Sequence, residues 1–364
     1  MKKALIPCLL FAFSAFAALA QTATRNYELR NGNFYNGKDF TAGTWYVTKG
    51  LLSKRAPSRV DSVIDLAGRF VVPPMGDAHS SSLADNPSAE KVLKLYADEG
   101  TFYVQVLSNS QAGRAAVQNF ANKPATPDVT FGNGGITCTL GQPFLRYEAP
   151  AQGIRNPETI TQRYDFIRQQ RKMQGDGYWF VDSKEMLDKE WEKIKAQKPA
   201  VISIYLLDAQ NSGGKESHGL SADVAKAVIK KARKAGLRVY AHVETTDDVR
   251  LGLKLGVDGF ANLPGHNWDG AGDTKRFELS DADLKLLAKK KTPVAPLFSH
   301  GQSVTPRPAV QKFHAETLRR LFANNVNVVL GSDDPQRTGR VELNYWHTLG
   351  TLDNAAAVKV LCEN

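Results

Sequence analysis

The chain has 364 residues, of which 42% are hydrophobic and 23% charged. This is an ordinary globular composition, long enough for one large domain with an appendage or for two domains, and it excludes a low-complexity chain. The formal net charge is +10, but the basic residues lie mostly in helix-like stretches such as KEWEKIKAQK. No nucleic-acid-binding motif accompanies them, so we expect no nucleic-acid partner.

The first twenty residues, MKKALIPCLLFAFSAFAALA, have the three parts of a secretory signal peptide. Lys2 and Lys3 form a basic start, Leu5 to Phe16 is apolar, and Ala18-Leu19-Ala20 is a small-x-small cleavage site. The apolar run is short for a membrane anchor. We therefore predict a signal peptide over residues 1–20, a secreted or periplasmic mature protein, and no membrane partner after cleavage.

The mature chain retains two cysteines, Cys138 and Cys362. An oxidising compartment permits a disulfide between them. Their separation in space cannot be read from the sequence, so a single disulfide and two thiols both remain open.

Residues 21–68 are predicted to form a small β domain. Apolar and polar residues alternate in NGNFYNGKDF and GTWYVTKGLL, and Asn36-Gly37 is a hairpin-type turn. No helical periodicity interrupts this part of the chain.

Residues 69–364 show a different pattern, in which apolar strand-like runs alternate with helix-like segments. The predicted strands are RFVVPPMGDAH, GTFYVQVLS, DVTFGNGG, AVISIYLLD, LRVYAHVE, DGFANLPG, TPVAPLF and VNVVLGSDD. Eight strands with helical connections predict an α/β fold, a (β/α)8 TIM-like barrel, with a doubly wound sheet as the alternative. The long segment 136–198, between the third and fourth strands, is expected to add a helix and to form a wall of the site. Tyr178, Trp179 and Phe180 in this segment are expected to pack in the core, as are Phe144, Arg146 and Tyr147 in GQPFLRYEAP.

Function in such a barrel lies at the carboxyl ends of the strands. There the sequence places His79 after the first strand, His242 in the fifth and Asp333 after the eighth. Each residue alone has a structural explanation, as a hydrogen-bonded core histidine or as an aspartate in a turn. Together at one rim they predict a functional site.

Three stretches, VDSVIDLAGRFVVPPMGDAH, VYAHVETTDDVRLGLKLGVDGFANLPG and VVLGSD, resemble the metal-dependent amidohydrolase superfamily. Within that superfamily, the stretches most resemble imidazolonepropionase-like, secreted amidohydrolase-related proteins. The resemblance runs from about residue 26 to the end of the chain. It implies a barrel beside a composite β-sandwich domain. It also implies hydrolysis of an amide, cyclic amide or ester bond of a small polar molecule.

The resemblance further implies a set of metal ligands, of which this chain keeps three. His79, His242 and Asp333 match the family's histidine on strand one, histidine on strand five and aspartate on strand eight; Asp333 would also serve as the catalytic proton shuttle. Serine or asparagine stands at the other three positions, which are Ser81, Ser203 and Asn262. The metal site is therefore expected to be degenerate.

These replacements limit the metal chemistry. Ser203 cannot form the anionic bridge that two dications need, so no binuclear centre is expected. His79, His242 and Asp333 predict at most one divalent ion, zinc by preference, since catalytic zinc takes three protein ligands and an open position. His266 and His300, near strand ends, either compensate for the losses or are ordinary loop histidines.

Three hypotheses follow: a hydrolase with one residual metal, a pseudoenzyme that binds a small ligand, and an inactive remnant. Members of the family continue beyond the point that corresponds to Asn364 and complete the small β domain. Relative to them this chain is expected to be truncated, with residues 21–68 as the remnant of that domain. Its exposed edges suggest a homo-oligomer as a further hypothesis.

Overall fold

The structure is a computed structural model that describes residues 25–85, 87–208, 219–300 and 307–363. The predicted signal peptide lies outside the described residues. The chain divides into two compact units, one ending at Val72 and the other beginning at Pro73. No helix among the described residues is long and apolar enough to cross a membrane.

The first unit is a five-stranded sheet, as the alternating pattern predicts. Its strands are β1 (Tyr27–Tyr35), β2 (Phe40–Thr48), β3 (Leu51–Ser53), β4 (Ser62–Asp65) and β5 (Phe70–Val71). The order is β3-β2-β1-β4, and β5 also pairs with β1. The predicted hairpin joins β1 to β2, where Asn36 accepts the backbone N–H groups of Lys38 and Asp39, and Gly37 has a φ of 93°.

Parallel strands separated by helices form the second unit. The strands are β6 (Met75–Asp77), β7 (Thr101–Val106), β8 (Asp128–Phe131), β9 (Gly135–Thr137), β10 (Tyr178–Phe180), β11 (Val201–Tyr205), β12 (Arg238–His242) and β13 (Gly259–Phe260). They lie in two sheets, β6-β7-β8 and β10-β9-β11-β12-β13. The order of the larger sheet reverses between β9 and β11, as it does in doubly wound folds, so strand order does not exclude that alternative.

Twelve helices lie in the described part of the second unit. They are α1 (Ala89–Asp98), α2 (Gln111–Gln118), α3 (Phe144–Ala151), α4 (Pro157–Gln162), α5 (Tyr164–Ile167), α6 (Lys184–Ala196), α7 (Ala222–Lys234), α8 (Thr246–Leu255), α9 (Asp281–Lys290), α10 (Pro308–Ala323), α11 (Arg340–Thr348) and α12 (Asn354–Cys362). Several begin at a hydroxyl residue that accepts a backbone N–H group, and Thr245 and Ser280 form capping boxes with Asp248 and Asp283. Such caps satisfy N–H groups that have no acceptor within the helix.

The last two predicted strands are much shorter than expected. Val294 forms isolated parallel bridges with Phe260 and Val328, and neither segment forms a longer strand. The predicted alternation of parallel strands and helices is therefore confirmed, whereas the described residues do not form one continuous eight-stranded sheet.

The five aromatic residues predicted to pack in the core do so. Tyr178, Trp179 and Phe180 form β10 and are buried, as are Phe144 and Tyr147 in α3. Cys138 and Cys362 are both thiols, which excludes a disulfide between them in this structure.

Candidate active site

The ends of the first and last predicted strands are joined by backbone hydrogen bonds. The N–H groups of Ser332 and Asp333 donate to the carbonyl of His79, at 3.0 and 2.8 Å. Asp333 has a φ of 41°, in the left-handed region that non-glycine residues seldom adopt. This turn brings the Asp333 carboxylate beside the imidazole of His79.

His79 is buried and held by two neighbours. Its Nδ1 lies 2.6 Å from the carbonyl oxygen of Ala261, so Nδ1 carries the proton and donates. Its Nε2 lies 3.5 Å from Oδ1 of Asp333. The backbone N–H of His79 donates to Asp77, whose other oxygen accepts from Tyr96. Asp77 therefore supports the strand end from behind, and burial raises the pKa of its carboxyl.

His242 is buried against three side chains of the site. Its ring stacks on Tyr205 with 4.1 Å between centroids and meets the ring of His79 edge-on at 5.2 Å. Its Nε2 lies 2.9 Å from Oγ of Ser203. Burial and the nearby His79 hold the pKa of His242 well below its usual value, so its imidazole is neutral.

Asp333 carries the negative charge of the site. Ser81 donates a hydrogen bond to its Oδ1, and Nη1 of Arg146 lies 3.7 Å from the same atom. Burial would raise the pKa of this carboxyl, but His79 and Arg146 outweigh burial and hold it below the usual range. Asp333 is thus an anion that is compensated by protein groups.

Asn262, at the strand-six position, is bound within the protein. Its Oδ1 accepts from the N–H of Val243 at 3.0 Å, and its Nδ2 lies 3.0 Å from Nδ1 of His266. The rings of His266 and His300 are 6.0 Å apart. Burial, with His300 nearby, lowers the pKa of His266 to about 4. The two histidines that sequence left undecided therefore stand at the site.

Two adjoining cavities open over these side chains, with volumes of about 420 and 410 Å³. His242, Asp333 and Gln142 line both. The first continues over His266 and His300; the second, here called the arginine cavity, is lined by His79, Ser81, Ser108, Leu140, Gln142, Pro143, Leu145, Arg146, Tyr164, Tyr205, His242 and Asp333.

The side chains as arranged do not fit a metal ion. No group of three or more histidine, cysteine, aspartate or glutamate side chains in the described ranges is placed to hold one. His79, His242 and Asp333 do lie together, yet His242 Nε2 faces Ser203 and Asp333 Oδ1 faces Ser81 and Arg146. Their assignment as ligands stays a prediction.

Arg146 is the site residue that sequence reasoning missed. It lies in the first turn of α3 and was expected to pack in the core with its aromatic neighbours. Instead its side chain is 38% exposed and lines the arginine cavity, where Nη1 donates to Oγ of Ser81 at 3.0 Å. The available signal was a charged residue in the otherwise apolar stretch QPFLRY.

No protein-family model matches the chain. A search of curated proteins also finds no match. Solved structures do match. An amidohydrolase has a TM-score of 0.65 at 17% identity, covering 92% of this chain and 85% of its own. The A. niger ochratoxinase has a TM-score of 0.65 at 12% identity, covering 93% of this chain and 82% of its own.

A further solved structure, that of molinate hydrolase, has a TM-score of 0.64 at 14% identity and covers 93% of this chain and 83% of its own. These likenesses extend over nearly the whole chain, at identities that establish the fold. The chain therefore shares the fold of these solved structures, one of them an amidohydrolase, and this is the fold that the sequence motifs predicted.

Proposed function

We propose that this protein binds a small polar molecule in the strand-end cavities of an amidohydrolase fold and does not carry out metal-driven hydrolysis. The observation that carries this proposal is that protein groups already occupy the atoms a metal would need. Ser203 contacts Nε2 of His242, and Ser81 and Arg146 contact Oδ1 of Asp333. The two open cavities, with a few convergent polar groups, are suited to a small ligand.

Relatives by fold suggest the chemical class of that ligand. The solved structures that match include a prolidase, a molinate hydrolase and a phenylurea hydrolase. We therefore propose a small molecule of amide, cyclic amide or ester type. Tyr205 and Leu145 would contact its apolar part, since both line the arginine cavity.

We also propose that the parallel strands of the second unit form one (β/α)8 barrel. Two hydrogen bonds support this. Ala200 N, just before β11, donates to the carbonyl of Phe131 in β8 at 2.8 Å and so links the two sheets. Ala78 N, just after β6, donates at 2.7 Å to the carbonyl of Leu330 in the eighth predicted strand segment. A closed ring would explain why His79 and Asp333, from opposite ends of this unit, meet.

A second candidate is hydrolysis of the same class of bond through one divalent ion, zinc by preference. The observation in its favour is the closeness of the three predicted ligands, with His79 Nε2 3.5 Å from Asp333 and the two imidazoles 5.2 Å apart. No binuclear centre is proposed, because Ser203 supplies no anionic bridge.

The two candidates are separated by metal content. The purified mature protein is dialysed against zinc chloride and then against buffer, and zinc is measured per chain beside a His79→Ala variant. We expect much less than one zinc per chain in both. One zinc per chain that is lost in His79→Ala, with turnover of an amide or lactone panel, would replace the binding proposal with the hydrolase.

A further inference from the structure

The guanidinium of Arg146 reaches two positions at which the family resemblance places metal ligands. Its Nη1 donates to Oγ of Ser81 at 3.0 Å and lies 3.7 Å from Oδ1 of Asp333. Ser81 replaces a family histidine, and Asp333 matches the family aspartate. A guanidinium stays protonated throughout the working pH range. A permanent cation of the protein therefore stands beside the carboxylate that would otherwise face a metal.

This cation explains why the site does not fit a metal ion. A divalent ion at Asp333 would lie close to the guanidinium, and two cations in partly buried surroundings repel each other. The Asp333 carboxylate is already compensated by Arg146 and by the hydrogen bond from Ser81. At Asp333, the guanidinium of Arg146 thus takes the place of a metal ion as the positive charge.

Arg146 also has hydrogen-bonding capacity to spare. An arginine has five N–H donors in a planar fork. Only Nη1 has a hydrogen-bond acceptor among the described residues, which is Ser81. The edge formed by Nε and Nη2 has none in that part of the chain, and the side chain lines the arginine cavity. Two parallel donors of this kind match the two oxygens of a carboxylate.

The rest of the arginine cavity suits an organic acid with an apolar body. Leu140, Pro143 and Leu145 supply apolar wall, and Ser108, Gln142 and Tyr205 supply polar side chains. The volume of about 410 Å³ is in the range of small-molecule sites. Asp333 and Asp85 both act on the charge of Arg146 and would oppose such a ligand, and hydrogen bonds from Ser81 and Ser110 partly compensate these two carboxylates.

We propose that the arginine cavity binds the carboxylate of a small organic acid, through the Nε–Nη2 edge of Arg146 at the place where the fold family would hold its metal. This rests on the proposed function and adds a carboxylate group to the small amide, cyclic amide or ester proposed there. The carboxylate would form two parallel hydrogen bonds to the guanidinium, and its apolar part would lie against Leu140 and Leu145.

The test compares benzoate with its neutral isostere benzamide by titration calorimetry on the full mature chain. We expect benzoate to bind about tenfold or more tightly than benzamide. Two charge-assisted hydrogen bonds between a carboxylate and a guanidinium are stronger than the hydrogen bonds that a neutral amide can form there. In Arg146→Ala the two dissociation constants should become equal. Arg146→Lys keeps the charge without the fork and should retain part of the difference.

Arg155→Ala is the matched control, because Arg155 is an exposed arginine of the same insertion. It should leave the preference for benzoate unchanged. Equal binding of both probes to the wild-type chain would overturn the carboxylate proposal while leaving the binding function standing. Binding of neither probe would overturn both. Thermal unfolding of each variant shows whether Arg146→Ala remains folded, and Arg146→Lys provides the comparison if it does not.

Discussion

The side chains of Ser203 and His242 are hydrogen-bonded to one another, with 2.9 Å between Oγ and Nε2. Both stand at positions that the family resemblance assigns to metal binding, and here they satisfy each other. Each is almost fully buried. A buried polar atom costs free energy when it has no hydrogen-bond partner. The hydrogen bond between the two side chains therefore gives each the partner that a metal ion would otherwise provide.

Removing the Ser203 hydroxyl should therefore weaken the fold. We expect Ser203→Ala to lower the free energy of unfolding by about 1–2 kcal/mol, because Nε2 of His242 loses its partner in a buried place. Urea unfolding followed by circular dichroism measures this. Ser58→Ala, at an exposed serine, should change the free energy by much less. Equal effects of the two substitutions would contradict the role given to the pair.

Zinc binding should be recoverable by reversing two replacements at once. In the double variant Ser81→His, Arg146→Ala the repelling cation is gone and an imidazole stands beside His79 and Asp333. We expect about one zinc per chain after dialysis, as three protein ligands suffice for zinc. Ser81→His with Arg155→Ala retains Arg146 and should take up far less. Uptake that is equal in both double variants would show that Arg146 does not exclude the ion.

Glu342 should make stability depend on pH. Its buried carboxylate accepts the N–H groups of Phe298 and Ser299, at 2.7 and 2.6 Å, and the indole N–H of Trp346. Burial nevertheless raises its pKa to about 7 from 4.5. The native state then keeps a proton that the unfolded chain releases. This contribution to stability is complete below about pH 4.5 and is lost as the pH rises to about 7.

The variant Glu342→Gln isolates this effect. Across that pH window the wild-type free energy of unfolding should fall by about 3 kcal/mol relative to the variant, since each unit of pKa shift is worth about 1.4 kcal/mol. Denaturant unfolding at pH 5, 6, 7 and 8 gives the difference. At low pH, Glu342→Gln should be less stable than the wild-type protein. One of the N–H groups that donate to Glu342 would face the side-chain NH2 group of the glutamine instead of an oxygen. Parallel pH profiles for the two proteins would refute the assignment.

Gly135 should be needed for the position of Tyr205. A Cβ at Gly135 would lie 2.6 Å from Cε2 of Tyr205, whose ring stacks on His242. Gly135→Ala therefore forces the tyrosine to move, and such overpacking costs about 1–3 kcal/mol. We expect lower stability and weaker ligand binding together, measured by unfolding and calorimetry. Gly43→Ala, where a Cβ meets nothing within 4 Å, is the control and should leave binding intact.

Much of the fold could be predicted from patterns among residues that are close in the sequence. The helix-like periodicity located helices such as α7 and α8, and the apolar runs located β11 and β12. The lengths of the last two strands were overestimated because an apolar run indicates burial. Val294 and Val328 are buried, yet they form only isolated parallel bridges, Val294 with Phe260 and with Val328. An apolar run in the sequence indicates that a segment is buried, but it does not indicate how many backbone hydrogen bonds the segment forms with a neighbouring strand.

The sequence by itself determined the alternation of strands and helices, the small β unit, and the chemical character of the residues at the strand ends. These follow from side-chain periodicity and turn chemistry, which act over a few neighbouring residues. Only the tertiary structure decided that Arg146, 65 positions from Ser81, reaches Ser81 and Asp333. That meeting depends on how the insertion packs over the strand ends, and such packing is set by non-local contacts that no local pattern encodes.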